Sequence, residues 1–274
     1  QLLAQAAHIP VHLGSQATCV QETLKTIRFT PNESIIVNDP YSGGTHLPDI
    51  TIITPVFLDN KAAPQFYVAS RAHHADIGGR VPGSMPAPFD EQGNPIKLTI
   101  HDEGIRLPPS PLTDTTRKRF ATASRTPSER YADLRAQEAA NETGKSELTQ
   151  YLFTLNPDKI QERNEFLLCD SKAKTKKLIA TMPDGQYLFT DYLDDDGVSQ
   201  EPIPITVRLT IDGSDLEFDF SQSGNQVSSS LNAVRSVTTA AVFYVLGCLS
   251  VKGIAVNQGI IDAVKIVTRP GSIC

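Results

Sequence analysis

Two runs of β-forming residues joined by a short turn constrain this fold more than any other part of the sequence. The first run, 50–57, is rich in Ile, Thr and Val, and the second, 65–70, follows a turn predicted around Asp59 and Asn60. Runs joined by so short a turn are typical of an antiparallel hairpin, whose outer ends lie side by side. The residues before the first strand are therefore expected next to those that follow the second.

Histidines and carboxylates flank both outer ends of this predicted hairpin. His46 and Asp49 come just before the first strand, and His73 and His74 follow the second. Imidazole nitrogens and carboxylate oxygens are ligands that zinc and manganese accept. Because adjacent side chains on a strand point in opposite directions, one ion is not expected to bind both His73 and His74. The alternative is a turn in which Asp49 caps the local backbone.

The composition is typical of a folded protein and argues against several functional classes. The chain of 274 residues is 39% hydrophobic and 20% charged, and its formal net charge of -6 argues against nucleic-acid binding. No apolar run reaches the length of a transmembrane helix. Its four cysteines are widely spaced, which argues against a zinc ribbon and a disulfide framework. We therefore expect no membrane partner and a reducing, cytoplasmic location.

The remaining periodicities predict an α+β fold with mixed, largely antiparallel sheets and packed helices. Helices are predicted at 20–27, 126–143, 156–177 and 232–249, and further strands at 33–38, 186–193, 203–211 and 215–220. Gly144 is expected to end the second of these helices. We expect one partial domain over 1–274, with room for an internal boundary near residue 180.

Motifs along nearly the whole chain match one family pattern in its order. The most specific are NDPYSGGTHLPD at 38–49, AHHADIGG at 72–79 and EGIRLPP at 103–109, and further matches lie at 2–15, 82–86, 133–137 and 219–221. On these motifs the chain resembles the hydantoinase B/oxoprolinase family, and most closely the C-terminal half of ATP-dependent 5-oxoprolinase. The family region is longer than this chain. We therefore expect a fragment that lacks a preceding segment with a further Asp ligand.

The resemblance assigns roles to the residues around the hairpin. It implies that His46, Asp49 and His73 bind a divalent metal such as Zn, Mn or Mg. His74 would then face the substrate or support a ligand, and Asp76 would orient an imidazole N–H or move a proton. His74 and Asp76 are thus the catalytic candidates. The alternative for the histidine pair is a set of hydrogen-bonded polar residues near a domain surface.

The resemblance also implies an activity and a partner. The chain would be the ring-opening half of an ATP-dependent cyclic amide hydrolase, with ATP bound by a hydantoinase A-like ATPase domain or subunit. The expected reaction converts 5-oxo-L-proline, ATP and water into L-glutamate, ADP and phosphate. The alternatives are an N-methylhydantoinase or acetone carboxylase-like subunit, or a non-catalytic scaffold that docks the ATPase partner. We also expect a small-molecule lactam as ligand and a homo-oligomer.

Overall fold

The computed structural model of the protein describes residues 1–6, 9–58, 61–249 and 253–274, with all of their side chains except those of residues 157 and 158. The chain divides into two compact units. The hairpin unit consists of Gln16–Ala87 and Thr99–Ile160, and the C-terminal unit consists of Gln1–Ser15, Pro88–Leu98 and Gln161–Cys274. Each unit has a four-stranded sheet of its own, which confirms the predicted α+β class.

A sheet with the strand order β3-β2-β1-β4 forms the centre of the hairpin unit. Its antiparallel strands are β1 (Ile35–Val37), β2 (Asp49–Val56), β3 (Phe66–His73) and β4 (Ser110–Pro111). The helices in this part of the chain are α1 (Ser15–Thr26), α2 (Ile100–Glu103), α3 (Asp114–Ala123) and α4 (Pro127–Phe153). Strands β2 and β3 are the predicted hairpin. The turn predicted at Asp59 and Asn60 lies outside the described residues.

Strand β2 is buried on both faces, which explains its run of apolar and β-branched residues. All eight of its residues are buried. Ile50 packs into one core together with Phe120 of α3, while Ile53 packs into another with Cys19 of α1. A strand that is covered on both faces needs apolar residues without a strict alternation. Because β2 begins at Asp49, its packing fixes the backbone position of a predicted metal ligand.

Helix α4 continues beyond Gly144, so the prediction that it ends there is wrong. The helix is held against the hairpin by Gln137, whose Nε2 donates to the carbonyl oxygens of Ile50 (2.9 Å) and Ser70 (3.0 Å). A Cβ atom on Gly144 would lie 3.2 Å from Cγ1 of Val68, so glycine allows the helix to approach β3 closely. One glycine costs a helix only about 1 kcal/mol, and this packing offsets that cost.

The C-terminal unit contains a mixed sheet with the order β5-β6-β7-β8. Its strands are β5 (Gly185–Leu193), β6 (Ile203–Asp212), β7 (Asp215–Asp219) and β8 (Lys265–Val267), of which only β8 pairs in parallel. The helices from Pro157 onward are α5 (Pro157–Ile179), α6 (Arg235–Leu249) and α7 (Gln258–Ile261). Phe243 of α6 packs into the same core as Phe218 of β7. Among the helices of the described residues, none combines the length and apolar character needed to cross a membrane.

Candidate metal centre

The register of the hairpin brings two of the predicted ligands face to face. Asp49, the first residue of β2, pairs directly with His73, the last residue of β3. Strand β3 therefore ends three residues later than predicted, and His73 belongs to it rather than following it. His46 reaches the same point because the chain turns tightly before β2, where the Asp49 amide donates to the His46 carbonyl oxygen (3.1 Å).

The three side chains offer ligand atoms at separations that fit one divalent ion. Nε2 of His46 lies 3.0 Å from Nδ1 of His73, and Oδ1 of Asp49 lies 3.3 Å and 3.5 Å from these two nitrogens. Two ligand atoms bound to one ion at about 2.1 Å are separated by about 3.0 Å in octahedral geometry and about 3.4 Å in tetrahedral geometry. Two imidazoles and one carboxylate are also a ligand set found at catalytic zinc sites.

The carboxylate of this site is buried, whereas its imidazoles are open to solvent. The side chain of Asp49 is only 4% exposed, while those of His46 and His73 are 42% and 53% exposed. The second carboxylate oxygen of Asp49, Oδ2, accepts a hydrogen bond from the hydroxyl of Thr45. Thr45 thus orients the carboxylate so that Oδ1 faces the imidazoles. A small molecule can reach the cluster from the side of the histidines.

Asn38 holds the loop that carries His46. Its Nδ2 donates to the carbonyl oxygens of Leu47 and Ile105, both at 2.8 Å, and its Oδ1 accepts from the backbone amide of Leu107 (2.6 Å). A buried amide with partners on both its donor and acceptor sides fixes the segments that it joins. Asn38 therefore ties the His46 loop to the segment that follows α2. Local sequence patterns do not predict this role of Asn38, because Ile105 and Leu107 are remote from it in sequence.

Glu103, the last residue of α2, brings a second carboxyl group into the electrostatic environment of the cluster. Burial raises the pKa of Glu103, and the neighbouring His46 partly opposes this shift. A carboxyl group with a raised pKa retains its proton to a higher pH than an exposed glutamate does. Local sequence patterns do not predict a role for Glu103, which begins the EGIRLPP motif. The sequence signal that points to it is an acidic residue between glycine- and proline-rich segments.

His74 points away from the cluster into the interior of the hairpin unit. Its side chain is buried and meets the ring of Phe120 edge-on at 5.3 Å. Burial lowers the pKa of His74, and the hydrogen bond with Gln137 only partly offsets that effect. Nε2 lies 3.4 Å from Oε1 of Gln137, while Nδ1 is buried without a hydrogen-bond partner among the described residues. The opposite orientations predicted for His73 and His74 are therefore present.

The hydrogen bonds of Asp76 fix the loop that follows His74. Oδ1 accepts from the backbone amide of Gly78 (2.9 Å) and from Nη1 of Arg125 (3.0 Å), and Oδ2 accepts from the backbone amide of Arg125 (2.9 Å). Burial alone would raise the pKa of Asp76, but these hydrogen bonds outweigh it and lower the pKa. Among the described residues, the partners of this carboxylate are thus Gly78 and Arg125 rather than an imidazole.

Arg106, whose guanidinium suits an anionic group, is held by a buried carboxylate. Its Nη2 donates to Oδ2 of Asp39 (2.8 Å), and the guanidinium carbon lies 5.4 Å from the ring centroid of Tyr41. The bond to Asp39 raises the pKa of Arg106. Oδ1 of Asp39 also accepts from the backbone amide of Tyr41 (3.0 Å). These contacts fix the turn that leads to the His46 loop.

Another buried aspartate, Asp219, lies in the C-terminal unit. Asp219 is the last residue of β7 and pairs directly with Arg208 of β6, whose guanidinium donates to Oδ2. Oδ1 accepts from the backbone amide of Ser221 (2.9 Å). Hydrogen bonds from Ser221, together with the guanidinium of Arg208, lower the pKa of Asp219. Asp219 begins the family match at 219–221, and in the structure it forms an ion pair.

Comparisons with known proteins agree with the resemblance. The chain is 34% identical over 301 residues to 5-oxoprolinase 1 of Arabidopsis thaliana, a match that covers 99% of this chain and 23% of that protein. It is 35% identical over 286 residues to 5-oxoprolinase of Saccharomyces cerevisiae, covering 99% of this chain and 22% of that protein. The chain therefore spans about a quarter of the length of these relatives.

A solved structure has the same fold. The crystal structure of ATP-dependent caprolactamase from Pseudomonas jessenii superimposes with a TM-score of 0.84 at 24% identity, covering 99% of this chain and 47% of that chain. The family model described as hydantoinase B/oxoprolinase matches residues 1–274. The chain thus belongs to the hydantoinase B/oxoprolinase family.

Proposed function

We propose that this chain is the metal-binding, ring-opening part of an ATP-dependent cyclic amide hydrolase that acts on 5-oxo-L-proline. The observation that carries the proposal is the convergence of His46, Asp49 and His73, whose ligand atoms lie 3.0–3.5 Å apart. Two 5-oxoprolinases are at least 34% identical to the chain over 99% of its length, which supports the choice of substrate.

The chemistry of a lactam explains why such an enzyme needs both ATP and a polar site. Amide resonance stabilises the lactam carbonyl and makes it a poor electrophile. We propose that a hydantoinase A-like ATPase domain or subunit binds ATP and activates the lactam. A divalent ion such as Zn, Mn or Mg at His46, Asp49 and His73 would polarise the carbonyl and lower the pKa of a water toward neutrality.

The site residues of this chain have two kinds of role, which are binding the metal and positioning its ligands. The two exposed imidazoles and the buried Asp49 supply the ligand atoms, and the hydroxyl of Thr45 holds the carboxylate in place. We assign His74 and Asp76 to positioning. His74 is buried against Gln137, and Asp76 binds Arg125, so both order the backbone that follows His73.

The proposal is tested with a substrate panel and the full-length protein, including its ATPase part. ADP formation and ring opening are measured with 5-oxo-L-proline, hydantoin, caprolactam, and acetone with bicarbonate. We expect coupled ATP hydrolysis and L-glutamate formation with 5-oxo-L-proline alone. Protein that has been chelated, desalted and assayed with MgATP should no longer open the ring, and one further divalent metal should restore ring opening.

Two results would contradict the proposal in different ways. Preferred turnover of hydantoin, or of acetone with bicarbonate, would keep the metal centre but change the substrate to that of an N-methylhydantoinase or acetone carboxylase-like subunit. Full turnover after chelation and in the His73→Ala variant would show that the cluster is not catalytic. The chain would then be a scaffold for its ATPase partner.

A further inference from the structure

Strand β5 lies at the edge of its sheet and is paired on one side only within the described residues. It pairs with β6 over nine residues, from Gly185 to Leu193. In an antiparallel edge strand, alternate residues direct their backbone N–H and C=O groups away from the sheet. A long edge of this kind is a template for pairing with another strand, and soluble proteins normally protect it.

The side chains of β5 are unusually apolar for an exposed edge. Leu188 and Phe189 are 64% and 65% exposed, and Tyr187 and Tyr192 are 44% and 57% exposed. Because successive side chains of a strand lie on opposite faces, Leu188 and Phe189 expose apolar surface on both faces of the sheet. A strand that is apolar on both faces is typical of the interior of a sheet rather than of its edge.

Strand β3, at the edge of the sheet in the hairpin unit, is covered by a helix and is far less exposed than β5. Strand β3 has eight residues, and all but the last are half-buried. Helix α4 packs against it, and Nδ2 of Asn141 donates to the Val68 carbonyl oxygen (3.5 Å). In contrast, six of the nine residues of β5 are exposed to solvent, and four of these six have large apolar side chains. The difference indicates that β5 is completed by polypeptide from elsewhere.

The charge around β5 indicates what kind of strand fits there. The segment 178–207 contains no Lys or Arg and six acidic residues, namely Asp184, Asp191, Asp194, Asp195, Asp196 and Glu201. Arg208 of β6 pairs with Leu188, but its charge is balanced by the ion pair with Asp219. A second copy of the same strand would place these acidic residues next to one another and would be repelled. A strand with basic residues at its ends would instead be attracted.

The length of the family protein indicates where such a strand would come from. More than half of the caprolactamase chain lies outside the part that this chain matches, because the match covers 47% of it. We propose that, in the full-length protein, an extended segment from outside residues 1–274 pairs with the free edge of β5. It would carry apolar side chains on both faces and Lys or Arg near its ends.

Hydrogen exchange on the full-length protein tests the pairing directly. If a further strand covers β5, the amides from Tyr187 to Tyr192 should all be protected to the same level as those of β6, which is paired on both sides. If the edge is free, alternate β5 amides should exchange at least about 100-fold faster than their neighbours. That alternating pattern would overturn the proposal.

Photocrosslinking then identifies the occupant. A Leu188→p-benzoylphenylalanine variant of the full-length protein is irradiated, and the crosslinked peptides are identified by mass spectrometry. We expect crosslinks to a segment of the same polypeptide outside residues 1–274. Crosslinks to β5 of a second copy, or none above those of a Gln150→p-benzoylphenylalanine control on the exposed surface of α4, would overturn the proposal.

Discussion

Asp49 and Asp219 are both buried aspartates at a strand end, and each pairs directly with a basic residue of the neighbouring strand. Their side chains are 4% and 7% exposed. The two aspartates differ in the basic residue with which each one pairs. Arg208 has a permanent positive charge and only donors, so it closes an ion pair with Asp219. His73 is an imidazole that can present a lone pair instead.

The comparison shows how the same local geometry serves two purposes. In the C-terminal unit, the carboxylate charge of Asp219 is neutralised within the protein by Arg208. At the hairpin end, Oδ1 of Asp49 and the nitrogens of His46 and His73 converge on one point, where all three can act as acceptors. A divalent cation would balance that arrangement.

The largest effect is expected from removing a ligand of the cluster. His46→Ala, His73→Ala and Asp49→Asn should each lower metal affinity by more than about 100-fold, because each removes one of the ligands that this chain supplies. The measurement is the metal content of the full-length protein after desalting, by elemental analysis. His101→Ala, at another exposed histidine, is the control and should retain metal. Unchanged metal content in all three variants would end the assignment.

Removing Asp219 should destabilise its own unit without affecting the metal. Asp219→Asn leaves the Arg208 guanidinium without its carboxylate, and we expect a loss of about 1–3 kcal/mol. This is less than for a fully buried pair, because Arg208 is 39% exposed. Native-state hydrogen exchange of the β6 and β7 amides measures the loss, and elemental analysis checks the metal. Loss of metal in Asp219→Asn would contradict the view that Asp219 has no part in metal binding, unlike Asp49.

The hydroxyl of Thr45 should tune the cluster without being a ligand. Thr45→Val removes the hydrogen bond to Oδ2 of Asp49, and we expect metal affinity to fall by about 10-fold. Thr45→Ser retains a hydroxyl and should restore most of the affinity. Competition with a chromogenic chelator measures both variants. Equal affinities for the valine variant and the unmodified protein would show that Thr45 does not orient the carboxylate.

The smallest effect concerns the acid dependence of the Asp219 pair. Hydrogen bonds from Ser221 and the guanidinium of Arg208 lower the pKa of Asp219 below that of an ordinary aspartate. The pair therefore contributes its full stability above the ordinary aspartate pKa, and this contribution is lost as the pH falls through the lowered value. The difference in β6 and β7 protection between the unmodified protein and Asp219→Asn should be constant above about pH 5 and shrink below about pH 4. A difference that grows on acidification would contradict the lowered pKa.

Much of the fold could be predicted from local patterns. The alternation of apolar residues located strands β5, β6 and β7, and the Ile- and Thr-rich run located β2. The end of α4 was predicted wrongly. Glycine lowers helix stability through local backbone entropy, which the sequence reveals, but the contact of Gly144 with Val68 that offsets this loss is tertiary. The short strands β4 and β8 have too few residues for a period to be recognised.

The candidate site was predictable where chain geometry alone brings residues together. Antiparallel pairing requires the outer ends of a hairpin to meet, so His46, Asp49 and His73 could be grouped before any coordinates were known. The partners of Asp76 and Asn38 could not be predicted in this way. Arg125 and Ile105 lie 49 and 67 residues away in sequence from them, and no periodicity links residues so far apart.

Strand periodicity and antiparallel pairing are local rules, so the order of residues was enough to predict the hairpin, the residues at its outer ends and the opposite orientations of His73 and His74. Tertiary packing places His74 against Phe120, brings Arg125 to Asp76 and pairs Arg208 with Asp219. Local rules cannot predict these contacts, because burial and charge pairing depend on which distant segments pack together.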